Sequence, residues 1–189
     1  MGRRRTCYSN ADAAARRIVP AAIAAGSGGY AMKVHVKQSL KTDVASALKL
    51  CTDQKNQEAV YAKLPGTDVR IKREGKAPNV RLKISRTMPA NPPAAIKRLV
   101  PATNQVSHTE TWRADGDGHV ADIAVEIRGV PVKITGTKAL RPAKGGCSVE
   151  WTFDVTSGLP IVGGVIASFA GAELEKNLAD EYKVLKAMA

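Results

Sequence analysis

His108 and Glu110 stand two residues apart in NQVSHTETWRA, and strand alternation puts them on one face with Val106 and Trp112. An imidazole beside a carboxylate in an apolar enclosure is the equipment of general acid/base chemistry. The opposite face carries Ser107, Thr109, Thr111 and Arg113, so alternation leaves open which face is inner. If the threonine face is inner, His108 and Glu110 are solvated; that plain reading is preferred to catalysis. His35 alternates with Lys33 and Lys37 and faces water on this pattern, and His119 belongs to a turn.

No nucleophile elbow, GxGxxG, phosphate loop or HExxH spacing occurs, which disfavours serine hydrolysis, nucleotide binding and zinc chemistry. No cofactor and no metal are expected. DGDG at Asp115 to Gly118 lacks the later ligands of a calcium loop and reads as a hairpin turn. Cys7, Cys51 and Cys147 are widely spaced and form no CxxC pair, so neither a disulfide framework nor a zinc site is indicated. A reducing compartment, hence a cytoplasmic location, fits.

The net charge of +12 is spread along the chain, although Arg3, Arg4, Arg5, Arg16 and Arg17 crowd the first 31 residues. Those residues show little periodic pattern. Their apolar run, Ile18 to Ala25, is short and holds Pro20, unlike a secretory signal, and MGRRRT matches a myristoylation pattern only loosely. Residues 1–31 are therefore expected to be a disordered or non-native extension, with the domain spanning 32–189. Arg70, Lys72, Arg81, Lys83 and Arg86 form a basic strand face without interleaved aromatics. A solvated surface is preferred there, and nucleic acid is not an expected partner.

The elements that must position these groups follow from periodicity. MKVHVKQSL reads as a first strand, with Val34, Val36, Gln38 and Leu40 on one face. Thr42 or Asp43 can cap a short helix with a Val44, Leu48 and Cys51 stripe, and Asp53 precedes a second carrying Val60, Tyr61 and Leu64. Strands then dominate: Val69 and Ile71; Val80, Leu82 and Ile84; Val106 to Trp112; Ala121 to Ile127; Val130, Val132 and Ile134; and Cys147 to Val155. Between them AAIKRLV predicts a helical turn with Ile96, Leu99 and Val100, ended by Pro101.

Val155 to Ala172 carries no charge, but Pro160 and the glycine pair weaken it as a membrane span. It leads into ELEKNLADEYKVLKA, where Leu174, Leu178, Tyr182 and Leu185 recur at helical spacing and Glu175, Lys176, Asp180, Glu181 and Lys183 form the wet side. Gly163, Ala167 and Gly171 make a stripe of small residues suited to close packing, a ligand gap or a loosened segment. The fold class is α+β: a curved antiparallel sheet of about six or seven strands around one long C-terminal helix, with two short helices after the first strand.

This order resembles the START-like superfamily, also called helix-grip or SRPBCC. TETW (Thr109 to Trp112), GVPVKITGTKALRP (Gly129 to Pro142) and LPIVGG (Leu159 to Gly164) are similar to recurrent blocks of a bacterial family of unknown function within it. Relatives often continue the glycine pair toward an acidic residue; this chain has Ala167 there, and no role for that carboxylate carries over. The resemblance implies a helix-grip fold and a habit of binding small hydrophobic or amphipathic molecules, lipids among them, with a transient membrane-surface contact suited to a lipid carrier. With only two Phe and two Trp, the chain has few bulky side chains to fill a space between sheet and helix. Candidate lining residues are Leu82, Ile84, Trp112, Ile123, Val125, Trp151 and Phe153 from strands and Ile166 and Phe169 from the helix, with Tyr61 or His108 orienting a polar end. The alternatives are a cyclase- or hydrolase-like enzyme and a basic interaction module.

Overall fold

The computed structural model describes residues 30–189; the expected N-terminal extension lies outside them apart from its last two positions. The elements are β1 (Tyr30–Leu40), α1 (Val44–Thr52), α2 (Gln54–Tyr61), β2 (Thr67–Lys76), β3 (Asn79–Pro89), a 3-10 turn (Ala94–Ile96), β4 (Thr103–Asp115), β5 (Gly118–Ile127), β6 (Lys133–Ala143), β7 (Gly146–Ser157) and α3 (Gly163–Met188). The seven strands form one antiparallel sheet in the order β1-β7-β6-β5-β4-β3-β2. The chain jumps once between sheet edges, through α1 and α2. This is the helix-grip architecture, with α3 packed most closely on β1 and β7.

Local chemistry accounts for the joints. The Ser46 amide donates to Asp43 Oδ1 at 2.9 Å, and the Asn56 amide to Asp53 Oδ1 at 3.1 Å, so the expected caps Asp43 and Asp53 start α1 and α2. Gly116, the first central residue of the β4–β5 hairpin, has φ +59, as a II′ turn requires. Inward rows alternate as read: Cys147, Val149, Trp151, Phe153 and Val155 of β7 are all buried.

Several expectations change. The first strand begins at Tyr30, whose partner is Ser157, rather than at Met32. Strand β2 is an edge with little cover, and Val69, expected on the dry face, is 36% exposed. His119 lies in β5 opposite Leu140, not in the turn. Gly163 and Gly164 open α3 instead of lying in its interior, where a glycine costs most.

The small-residue stripe has a clear neighbour. A Cβ on Gly163 would come within 2.9 Å of Tyr30 Cδ2, one on Gly164 within 3.0 Å of Tyr30 Cδ1, and one on Gly171 would strike the Met32 sulfur. Ala167, between them, is buried. The stripe is therefore filled by β1 side chains, and the glycine face of α3 lies against that strand. Among the described residues, no helix is long and apolar enough to cross a membrane.

Candidate functional site

Because small residues let α3 lie tightly on β1, the other side of the helix stands away from β3, β4 and β5. A cavity of about 140 Å³ remains there. Its apolar wall includes Ile123, Val125 and Ile127 of β5, Ile134 of β6, Trp151 and Phe153 of β7, and Ile166, Phe169, Leu174 and Leu178 of α3. A cavity of this size and lining matches the roughly 150 Å³ that takes up one small aromatic ring.

Polar groups converge along its other side. Inward rows of β3 and β4 bring Arg86, His108 and Glu110, α2 brings Tyr61, and α3 brings Glu173, Asn177 and Glu181. The Tyr61 hydroxyl lies 3.1 Å from His108 Nε2, a hydrogen bond whose donor depends on the imidazole tautomer. His108 Nε2 is 3.7 Å from Glu110 Oε1, beyond hydrogen-bonding range. Glu110 Oε2 instead accepts the indole N–H of Trp112 at 2.8 Å. The Arg86 guanidinium sits 5.2 Å from the Tyr61 ring centroid, and its Nη1 donates to the Pro65 carbonyl at 3.0 Å. Arg86 Nε and Asn104 Oδ1, both on residues lining the cavity, are buried with no protein partner.

Behind this row lies an ion pair. Lys138 Nζ donates to Glu181 Oε1 at 2.6 Å, and their side chains are 2% and 17% exposed. The ammonium also stands 5.5 Å from the Trp151 ring centroid and 5.9 Å from that of Trp112. Burial opposes the charge of Lys138, yet the acidic groups around it, Cys51, Glu181 and Glu110, hold its pKa well above the ordinary range. Burial likewise pushes Glu181 up, but Lys138, with smaller help from Arg86, leaves its carboxyl below its ordinary value. Burial pushes the Cys51 thiol up to about 11. His108 differs: burial outweighs Glu110 and Glu181, its pKa falls below 6.5, and the ring is neutral at pH 7. A neutral imidazole bonded to a phenol can present either a donor or an acceptor to a bound oxygen.

Of the residues expected at a cavity, Tyr61, His108, Ile123, Val125, Trp151, Phe153, Ile166 and Phe169 line it. Leu82, Ile84 and Trp112 do not. They pack in the main core, each no more than 1% exposed, although Ile84 pairs with His108 and Leu82 with Glu110. The open question at His108 and Glu110 is answered by register: their face, with Trp112, points toward α3. Arg86, expected on a solvated basic face, and Glu181, expected on the wet side of the helix, both turn inward. No sequence motif marks Lys138, although the row Ile134, Gly136, Lys138, Leu140 puts a cation in an inward register. Gly136 on that row faces the Phe153 ring, which leaves no room for a Cβ. Among the described residues, no group of three or more His, Cys, Asp or Glu side chains converges to hold a metal ion.

The chain belongs to a protein family of unknown function (DUF2505), whose profile matches residues 35–188. No curated protein matches it by sequence. Its fold is similar to that of an aromatase/cyclase from Streptomyces sp. R1128, at TM-score 0.61 and 10% identity over 84% of this chain and 93% of that one. Half of a di-domain aromatase/cyclase from the steffimycin biosynthetic pathway also aligns, with TM-score 0.56, 15% identity and 83% of this chain covered. Ara h 8.0201 aligns at TM-score 0.55 and 12% identity over 84% of this chain and 97% of that one. At such identities the likeness establishes the shared helix-grip fold.

Proposed function

We propose that this domain binds a small amphipathic molecule between the sheet and α3. Its apolar part would lie among Ile123, Val125, Phe153, Ile166 and Phe169, with a hydroxyl or carbonyl directed to Tyr61 and His108. The observation that carries this reading is the cavity of about 140 Å³ whose wall is apolar on one side and polar on the other. Arg86, Glu110, Glu173, Lys138 and Glu181 surround the polar side with charges of both signs, which suits a neutral oxygen better than a strongly anionic head. Affinity would come from desolvation, at roughly 25 cal/mol per Å² of apolar surface buried.

Native mass spectrometry of the full chain purified from its own host, with phenol titration of the ligand-free protein, tests the reading. Retention of a small molecule and saturable phenol binding are expected. Val125→Phe, which fills the cavity, should abolish phenol binding while leaving the thermal midpoint within a few degrees of wild type. Phenol uptake unaffected by Val125→Phe, together with the absence of any retained molecule, would overturn the proposal.

A further inference from the structure

The two ends of the sheet differ in kind. At one end the strands are joined by tight hairpins at 77–78, 116–117 and 144–145. The other end collects the starts of β1, β2, β4 and β6 and the finishes of β3, β5 and β7, joined by longer connections at 90–102, 128–132 and 158–162. The exposed large apolar side chains among the described residues belong to this open end: Tyr30, Val69, Leu99 and Val165, each between about a third and a half exposed, and Ile161, at 90% exposure.

Ile161 is forced outward by its neighbours. Leu159 and Val162 pack into the cluster formed by Ile96, Val100, Val130 and Ile166, and the Gly163 amide closes the turn on the Leu159 carbonyl at 3.1 Å. The residue between those anchors has φ +66, a left-handed conformation costly for a β-branched side chain. The same end is basic. Its three connections contain Lys97, Arg98 and Arg128, all exposed, and no acidic residue. Asp68 and Glu126 lie beside it on strands. Scattered exposed apolar residues are ordinary, but Ile161 and Leu99 project from two segments joined by one apolar cluster, with Lys97 and Arg98 beside Leu99, and together form a surface that water solvates poorly and an anionic interface solvates well.

From this combination we infer that the open end docks on an anionic lipid bilayer, Ile161 and Leu99 entering the headgroup boundary while Lys97 and Arg98 meet lipid phosphates. Tyr30, half exposed beside Gly163 and Gly164, suits the interfacial zone. Pro89, Ala90, Val100 and Val130 carry the cavity lining to this same end, so docking places that opening against lipid. The inference does not depend on what the cavity holds.

Flotation of the full chain with vesicles tests it. Binding is expected to vesicles of phosphatidylcholine mixed with phosphatidylglycerol, and not to phosphatidylcholine alone. Paired Ile161→Asp and Leu99→Asp should weaken partitioning roughly tenfold or more, as should paired Lys97→Glu and Arg98→Glu. Thermal unfolding should show both variants folded, since all four side chains are exposed. No flotation with anionic vesicles overturns the inference. So does binding indifferent to both pairs, which would assign it to the arginine-rich residues 1–17. A dimer in light scattering that either pair dissociates would instead make this end a contact between copies of the chain. Saturable phenol uptake by a chain that fails to float would separate this inference from the ligand proposal.

Discussion

The two faces of α3 do opposite work with neighbouring residues. Gly163, Ala167 and Gly171 bring the backbone against Tyr30 and Met32 so closely that side chains at the glycines would collide with β1. Ile166, Phe169, Ala170 and Leu174, a residue or two away, face an opening. The close contact on one side creates the gap on the other. A helix pressed onto β1 at one edge of a twisted sheet cannot also fill the concave space over β4 and β5. Glycine thus acts here as a spacer in reverse, making room by permitting contact elsewhere.

The largest expected effect tests whether the open face is anchored by charge. Lys138→Met leaves the Glu181 carboxylate buried without its partner, and should cost about 3–5 kcal/mol of stability, read from the denaturant midpoint. Replacing both, Lys138→Met with Glu181→Leu, should recover most of that loss. An unaltered midpoint in the single variant would mean that the ion pair is not what holds the helix to β6.

Next come two adjacent enlargements. Gly171→Leu drives a side chain into Met32 and should destabilise by about 1–3 kcal/mol. Ala170→Leu points into the cavity and should cost markedly less in the same chemical denaturation experiment. Equal costs would erase the distinction between the faces.

The smallest effect concerns pH. His108 has a folded-state pKa below its unfolded value of about 6.5, because burial disfavours its charged form. Its neutral burial is therefore free of penalty above that pH. As pH falls, the unfolded chain takes up the proton before the folded one does, and stability drops until the folded pKa is reached. The thermal midpoint should decline between neutral pH and mildly acidic pH, with a shallower decline in His108→Gln. Glu181, whose pKa lies below the ordinary carboxylate value, contributes stability that is lost only at lower pH. Identical slopes for wild type and His108→Gln would place His108 in water, not at the polar side of the cavity.

Much of the fold was legible because the signals were local. Alternation over Cys147 to Val155 identified an inward row, Asp43 and Asp53 announced two helices, and DGDG announced a hairpin. The cavity wall was partly legible for the same reason, since inward rows supply Ile123, Val125, Trp151 and Phe153. Leu82, Ile84 and Trp112 obey the same alternation and stand level with Glu110, His108 and Trp151, yet other side chains cover them completely. Alternation gives a face without saying what covers it. The polar groups were harder to read, because a charge at an inward position looks like a surface residue until its partner is known. Charge groups Arg86 with Lys83 and Arg81, whereas its register groups it with Leu82 and Ile84.

The sequence by itself determined the period of each element, its caps and turns, and the stripe of small residues on the last helix. These depend on backbone sterics and on neighbours within a few residues. Tertiary structure decided which face of β4 is inner, that β1 occupies the glycine stripe, and that Lys138 meets Glu181 forty-three positions away. A side chain's solvent exposure and the charges opposite it are set by segments distant in sequence, and no local pattern encodes them.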